Sequence, residues 1–160
     1  MDIENLSAQD ILDRYNLALK SSATAIWDWN IETDEMFWSP SSHDIVGALS
    51  NKDLPNTSAG FFDKLLFPED RDLFRSAIRQ HLKDKEPFDM EVRIVDIEGT
   101  PMWVHTRAQA EWDDKDQATR MYGTFNDINR LKNTEVALSQ KNDDLNSITR
   151  LASHDLRSPL

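Results

Sequence analysis

The pattern of apolar and polar positions changes its period several times along the chain. Near the N-terminus, apolar residues recur every three to four positions and predict an amphipathic helix within residues 1–20, with Ser7 available as its N-cap. The apolar face of this helix consists of Ile11, Leu12, Tyr15 and Leu19. Two aromatic-rich runs follow, residues 25–30 and 35–39, and the polar segment between them predicts a β-hairpin.

A second helix is predicted after a stretch that glycine and proline interrupt. Pro68 suits a first helical turn, and Glu69 and Asp70 favour the positive end of the helix dipole. The helix is predicted to end near Lys85, with a buried stripe of Leu73, Ala77, Ile78 and Leu82. Alternation of apolar and polar residues then predicts three strands, at residues 88–94, 102–110 and 121–126. Two strands, small helices, one longer helix and three strands indicate an α+β fold.

Six short motifs, in this order, resemble those of a PAS domain of the subgroup with a Trp-Asp-Trp first strand. They are Ile26-Trp27-Asp28-Trp29-Asn30, Trp38-Ser39-Pro40, Ile45-Val46-Gly47, Pro68-Glu69-Asp70-Arg71, Glu98-Gly99-Thr100 with Trp103-Val104, and Gly123 to Asp127-Ile128-Asn129. The resemblance implies a five-stranded antiparallel sheet with flanking helices, which we expect at residues 21–128. Two positions depart from the subgroup, Phe67 where histidine is frequent and Ala48 where an aromatic residue is common.

From Asn129 onward, long polar residues and spaced leucines predict one helix of about 30 residues. Residues 129–150 are interpreted as a signalling helix, forming a parallel two-stranded coiled coil in a homodimer. The predicted coil seam consists of Leu131, Leu138, Leu145, Ile148 and Ala152. The first half of this seam also contains polar residues, so it would rotate or slip easily. The alternative is an ordinary solvated amphipathic helix.

The C-terminal residues resemble the H-box of sensor histidine kinases. The matching positions are His154, Asp155, Leu156, Arg157 and Pro159. Residues 151–160 would therefore be the truncated start of a phosphoacceptor and dimerisation domain. The resemblance implies that His154 accepts phosphate, and we expect it to project outward, about 200° around the helix from the seam residue Ala152.

The neighbours of this histidine have roles implied mainly by the same resemblance. Asp155 would orient the ring or act as a base, and Arg157 would contact the phosphate. Pro159 removes a helical hydrogen bond and would allow a bend next to the reactive turn. Asp127 and Ile128, where the last strand meets the long helix, would relay the signal together with Pro159.

Composition excludes several other functions. The 160-residue chain has a formal net charge of −11, which argues against a nucleic-acid surface. It has no cysteine, which excludes a disulfide scaffold, a thiolate metal site and cysteine photochemistry. We predict no metal site. No signal peptide and no apolar run long enough for a membrane span is evident, and a cytoplasmic location is expected.

The candidate pocket of the PAS domain is aromatic. Its predicted lining is Trp27, Trp29, Trp38, Met90 and Trp103. It would hold a noncovalent flavin or a small apolar ligand, or be filled by these same side chains, as aromatic cores are by default. Haem is not expected, because the family's axial position falls nearer Arg75 than His81. His81, His43 and His105 are interpreted as structural or surface residues.

Together these features predict the sensory and dimerisation part of a two-component sensor histidine kinase. It would control ATP-dependent autophosphorylation of His154 and phosphotransfer to the receiver domain of a response regulator. No glycine-rich nucleotide motif is present, so ATP and Mg²⁺ would be bound by a missing domain and this chain alone would be inactive. The alternative is a non-enzymatic PAS module for dimerisation or ligand binding.

Overall fold

A computed structural model describes residues 6–47 and 53–157, with the side chain of Arg157 outside the description. Within these residues the chain divides into two compact units, one ending at Asp127 and one beginning at Ile128. Ala48, Pro159 and the side chain of Arg157 therefore lie outside the described part, and the expectations placed on them stay predictions.

The first unit begins with helix α1, Ala8–Ser21. Ser7 caps it as the sequence predicts, because its hydroxyl accepts from the Asp10 amide while the Asp10 carboxylate accepts from the Ser7 amide. Of the predicted apolar face only Leu19 is buried; Ile11, Leu12 and Tyr15 are exposed. The helix is thus amphipathic, with most of that face uncovered in the single chain.

Five antiparallel strands form one sheet in the order β2-β1-β5-β4-β3, which confirms the predicted PAS fold. Their bounds are β1 Thr24–Asn30, β2 Glu35–Trp38, β3 Phe88–Val95, β4 Pro101–Trp112 and β5 Ala118–Asp127. The central strand β5 pairs with β1 on one side and β4 on the other, so the first hairpin and the last three strands become one layer.

Short helices lie between β2 and β3, in the segment where breakers predicted irregular structure. They are α2 Ser42–Val46, α3 Ser58–Gly60 continued by a π-helical turn Phe61–Leu65, a 3₁₀ turn Pro68–Asp70, and α4 Arg71–Asp84. The left-handed residue Lys85 ends α4, at the position predicted from the sequence.

One predicted core position of α4 is wrong. Leu73 is 62% exposed, whereas Phe74 and His81 are buried. The stripe facing the core begins at Phe74 and continues through Ala77, Ile78, His81 and Leu82. These residues follow the helical spacing i, i+3, i+4, i+7 and i+8, so the predicted stripe started one residue too early.

Aromatic rings fill the space between the helices and the inner face of the sheet. Phe61 is central, since its ring centroid lies 5.4 Å from Phe74, 5.9 Å from Phe125 and 6.1 Å from Trp38. Trp38 donates its indole N–H to the carbonyl of Pro55 at 2.7 Å, which satisfies the polar atom of a buried ring. The rings therefore form one continuous core.

The second unit is described by itself. It consists of helix α5, Asn129–Arg157, which has 29 residues and confirms the predicted long C-terminal helix. Its leucines and Ile148 are more than half exposed in the single chain. A helix of this length with exposed apolar residues gains little stability from its own side chains and is suited to pairing with another helix.

Candidate functional site

The core of the first unit contains a small apolar cavity. Its volume is about 20 Å³, room for roughly one water molecule. It is lined by Trp27, Trp29, Met36, Ser58, Phe61, Phe62, Phe74, Ile78 and Phe125. Ligand pockets for organic molecules are usually some hundreds of Å³. A flavin or haem could therefore enter only if several of these rings moved.

The predicted lining residues differ in their position relative to the cavity. Trp27 and Trp29 line the cavity, and Trp38 packs behind it against Phe61 and Phe125. Met90 is half-buried on the inner face of β3 but outside the lining. Trp103 lies on the opposite face of β4, because its neighbours Met102 and Val104 point into the core.

The phenylalanine side chains of the lining were not predicted from the sequence. Phe61 and Phe62 belong to the π-helical turn, in a segment where the sequence predicts no regular element, and Phe74 is the α4 position next to the predicted Leu73. The fourth, Phe125, could have been found, since it alternates with Met121 and Gly123 along β5. A periodic strand thus revealed its inward side chains better than an irregular helical segment did.

The ring of Trp27 lies directly over Gly123 of the neighbouring strand β5. A Cβ at Gly123 would stand 2.3 Å from the Arg107 carbonyl oxygen and 2.8 Å from the Trp27 ring, so only glycine fits there. The indole N–H of Trp27 is buried and has no hydrogen-bond partner among the described residues. Such an unpaired donor is costly and would favour an acceptor in the adjoining cavity.

Trp29 is held at the edge of the cavity by a polar contact. Its indole N–H donates to Asp34 at 2.9 Å, and the amide of Ser58 donates to the same carboxylate oxygen at 3.1 Å. Hydrogen bonds from Ser58 and then from Trp29 hold the pKa of Asp34 below its ordinary value. The carboxylate thereby links the β1–β2 hairpin to α3.

His81 is a buried structural residue. Its Nε2 accepts a hydrogen bond from the Ala110 amide at 3.0 Å, so Nδ1 must bear the proton in the neutral ring and donate to the Glu86 carbonyl. The ring also packs against Trp112. Because both nitrogens are used by the backbone, His81 has no lone pair free for haem iron. The structural interpretation drawn from the sequence is consistent with this geometry.

Asp70 and Arg93 join the start of α4 to β3. The Asp70 carboxylate accepts from the Arg93 amide at 2.7 Å and from its guanidinium at 2.6 and 3.1 Å. These hydrogen bonds from Arg93 lower the pKa of Asp70. The guanidinium carbon lies 4.3 Å from the ring centre of Phe67, the residue that departs from the family pattern. An aromatic ring at this position thus supports the ion pair by cation–π contact.

Two of the three proposed relay residues are described: Asp127 is the last residue of the first unit and Ile128 the first residue of the second. The Asp127 amide donates to the Ala23 carbonyl at 3.3 Å, and the Thr24 hydroxyl donates to Asn126 at 2.6 Å. The last residues of β5 are therefore tied to the start of β1. In the second unit, the Ile128 carbonyl accepts from the Lys132 amide at 2.9 Å and begins the helical hydrogen bonding of α5.

His154 is strongly exposed on α5, with 82% of its side chain accessible. Its Nδ1 lies 3.8 Å from an Asp155 carboxylate oxygen, which is too far for a hydrogen bond but within range of charge interaction. Thr149, Arg150 and Ser153 border the same open surface. The ring is accessible to a reacting molecule.

The predicted coil seam is exposed along the single chain. The accessible fraction is 55% for Leu131 and 62% for each of Leu138, Leu145 and Ile148. Leu151 and Val136 are similarly exposed, but they occupy heptad positions that do not belong to the seam. The spacing of the seam residues is suited to a second helix, and pairing itself stays a prediction.

The described residues contain no cluster of histidine, cysteine, aspartate or glutamate that could hold a metal ion. In the same part of the chain, no helix is both long and apolar enough to cross a membrane.

Comparison with known proteins identifies the family. A family model described as PAS fold matches residues 35–125. The chain belongs to the PAS fold family. In structure it is similar to a sensory box histidine kinase/response regulator from Burkholderia thailandensis, with a TM-score of 0.71 and 29% identity over 84% of this chain and 98% of that one.

Two curated relatives match this chain over a small part of their own length. The sensor protein FixL of Bradyrhizobium diazoefficiens is 26% identical over 136 residues, 85% of this chain. The probable diguanylate cyclase DgcE of Escherichia coli is 25% identical over 139 residues, 86% of this chain. The matched part is only 26% of FixL and 12% of DgcE. This PAS domain is therefore related to one part of each of two much longer proteins.

Proposed function

We propose that this chain is the sensory and dimerisation part of a two-component sensor histidine kinase. In this proposal, residues 1–20 are an N-terminal helix, 21–128 the PAS domain, 129–150 a signalling coiled coil and 151–160 the start of the phosphoacceptor domain. The relationship to a histidine kinase from Burkholderia thailandensis supports the assignment. A cytoplasmic location follows from the proposed use of ATP.

The observation that supports the proposal most is the position of His154. It follows the PAS domain on one uninterrupted helix, in a sequence that resembles an H-box, and 82% of its side chain is accessible. An acceptor histidine must reach a nucleotide held by another domain, so exposure suits this chemistry better than burial. An exposed histidine outside an H-box-like sequence would not be assigned the role of phosphate acceptor.

The proposed reaction is phosphoryl transfer to the imidazole. The Nε2 lone pair of neutral His154 attacks the γ-phosphorus of ATP; a P–N bond forms, the bond to the β–γ bridging oxygen breaks, and ADP leaves with its electron pair. Asp155 is closer to Nδ1, where it would hold the ring in the Nδ1–H tautomer and accept that proton afterwards. By resemblance, Arg157 would contact the phosphate.

Signal transmission would begin in the PAS core. A change in the packing of the aromatic rings would shift β5, whose end is tied to β1 through Asp127 and Asn126. Because Ile128 begins the hydrogen bonding of α5, that shift would alter the pairing of two helices along the seam. Pro159 would allow the bend that exposes or withdraws His154.

The proposal also defines the partners. A second copy of the chain would pair along α5, a separate domain would bind ATP and Mg²⁺, and the receiver domain of a response regulator would take the phosphate from His154. In that second transfer, an aspartate oxygen attacks phosphorus and the P–N bond breaks.

A second function is favoured by one comparison. DgcE is described as a probable diguanylate cyclase, and it matches 86% of this chain. A PAS domain of this sequence is thus compatible with an output other than a histidine kinase. In that case the chain would be a non-enzymatic module for dimerisation or ligand binding, and His154 would not be phosphorylated.

A labelling experiment separates these functions. The 160-residue chain is incubated with γ-labelled ATP and the separately supplied ATP-binding domain of a histidine kinase. We expect acid-labile label on the unaltered chain and on His43→Gln, and its loss in His154→Gln. Label that persists in His154→Gln, or equal loss in both variants, would refute the assignment of His154.

A further inference from the structure

An open groove of about 500 Å³ lies on the surface of the PAS domain, beside the small internal cavity. It runs between the end of β1, the π-helical turn, α4 and the turn joining β4 to β5. Its volume falls in the range of pockets that bind small organic molecules. Four of its residues also line the cavity, namely Trp29, Ser58, Phe62 and Ile78.

The floor of the groove is largely apolar. It includes Trp29, Ile31, Phe62, Ile78 and Leu82. Each of these side chains is only partly buried and packs against the core on its other side. An apolar ligand would therefore remove exposed hydrocarbon and aromatic surface from water, which is favourable in proportion to the area covered.

One side of the groove carries a row of cations. Arg75, Arg79 and Lys83 stand four residues apart along α4 and so share one face of the helix. This row contrasts with the chain as a whole, whose formal net charge is −11. In an acidic protein, three cations grouped beside an apolar surface create a local positive potential that would attract an anionic ligand to this groove.

Most of this positive charge is not neutralised locally. Arg79 and Lys83 form no ion pair with any side chain in the described part of the chain, and Arg75 has only a long contact of 3.4 Å to Asp72. Asp116, the acid that also lines the groove, is itself paired with Lys85 at 2.6 Å. The guanidinium carbon of Arg75 lies 5.0 Å from the ring centre of Phe62. The cations are thus free to meet an anion.

We propose that this groove binds a small anionic amphiphile, a carboxylic acid with an aromatic or aliphatic body. Its carboxylate would pair with Arg79, flanked by Arg75 and Lys83, in a geometry that suits a guanidinium fork. Its body would lie over Trp29 and Ile78. This inference rests on the proposed sensory function and adds a class of ligand to it. It is tested by ligand affinity, without any measurement of phosphorylation.

The shared residue Phe62 explains how such binding would affect the core. Phe62 forms part of the groove and of the cavity, and its ring contacts Phe61 and Phe74 at centroid distances of 5.6 and 5.9 Å. A ligand that displaced Phe62 would disturb the aromatic cluster. The cluster reaches β5 through Phe125.

The test uses 2-naphthoate as the anionic probe and 2-naphthamide as its neutral counterpart, titrated calorimetrically into the whole chain. We expect naphthoate to bind about tenfold more tightly than the amide, and Arg79→Gln to weaken naphthoate by about tenfold while leaving the amide unchanged. Arg14→Gln makes the same charge change on α1 and should have no effect.

Equal binding of acid and amide, equal effects of the two arginine variants, or no binding of naphthoate at millimolar concentration would overturn the proposal. Arg79 is exposed, so its replacement should leave the fold intact, which circular dichroism checks. The titration is repeated with His154→Gln, whose affinity should equal that of the unaltered chain. Failure of the unaltered chain to bind naphthoate, with labelling of His154 intact, would refute this inference and leave the proposed function standing.

Discussion

Asp70 shows how much one carboxylate contributes to this domain. It receives three hydrogen bonds from Arg93, one from the main chain and two from the guanidinium, and only 13% of its side chain is exposed. The arginine in turn lies against Phe67. A half-buried, multiply hydrogen-bonded pair of this kind is sensitive to the loss of either partner, because the other charge is left without compensation.

Asp70→Asn should therefore destabilise the PAS domain by about 1–3 kcal/mol at neutral pH, the usual range for hydrogen bonds to charged groups. Asn retains the shape of Asp but removes the charge that Arg93 needs. Thermal or urea unfolding monitored by tryptophan fluorescence measures the change. Asp72→Asn, whose carboxylate is almost fully exposed, is the matched control and should change stability little.

The same pair gives a dependence on pH with a definite sign. Because Arg93 lowers the folded-state pKa of Asp70, this contribution is fully present above the pKa of an unfolded aspartate, near 3.9, and is lost as pH falls through the lower folded value. The stability difference between Asp70→Asn and the unaltered chain should hence shrink on acidification. A difference that stays constant down to strongly acidic pH would contradict this role.

Single side chains show how far reasoning from sequence reaches. A strand alternates its faces, and in the structure Trp27 and Trp29 line the cavity of the core while Trp103 lies on the other face of the sheet. The buried His81 could be assigned a structural role but not its partners, since the amide of Ala110 is 29 positions away along the chain. Contacts between distant segments depend on the fold, which a local pattern does not contain.

At the scale of elements, strands were predicted better than helices. β3 occupies residues 88–95 against a prediction of 88–94, and the hairpin of β1 and β2 falls where two aromatic runs placed it. Only the first core position of α4 was wrong, by one residue, because two adjacent apolar residues, Leu73 and Phe74, stand at the start of the stripe. Packing against Phe61 and Phe88 selects Phe74.

The long helix α5 provides a prediction at this scale. If two chains pair along the coil seam, Leu145→Asp should weaken dimerisation by at least about tenfold, because a charge would be buried between the helices. Val136→Asp is the control. It places the same charge at a residue of comparable exposure, 56% against 62%, whose heptad position does not belong to the seam. Sedimentation equilibrium of the two variants measures the difference.

Val136→Asp should leave the dimer nearly unchanged. If both substitutions weakened association equally, a heptad-specific coil would be excluded. If neither did, the dimer would be held by another surface, such as the exposed face of α1.

At the scale of the whole molecule, the sequence predicted the fold class and the order of its elements, and the five-stranded sheet and long helix confirm them. Periodicity was sufficient for the order of elements because strands and helices have different periods, and the resemblance of six short motifs implied the five-stranded sheet. The groove beside α4 was not predicted. Its apolar floor comes from β1, the π-helical turn and α4, which meet only in the folded chain.

The proposed function joins a PAS domain to a phosphoacceptor histidine on one chain. Its most direct test is tandem mass spectrometry of the chain after incubation with ATP and a separate histidine-kinase ATP-binding domain, with digestion kept at alkaline pH to preserve phosphohistidine. We predict a single phosphorylated residue, His154, in the peptide that ends α5. Phosphate on Ser153 or Thr149 instead, or its absence from this peptide while the ATP-binding domain is active on its own substrate, would contradict the claim.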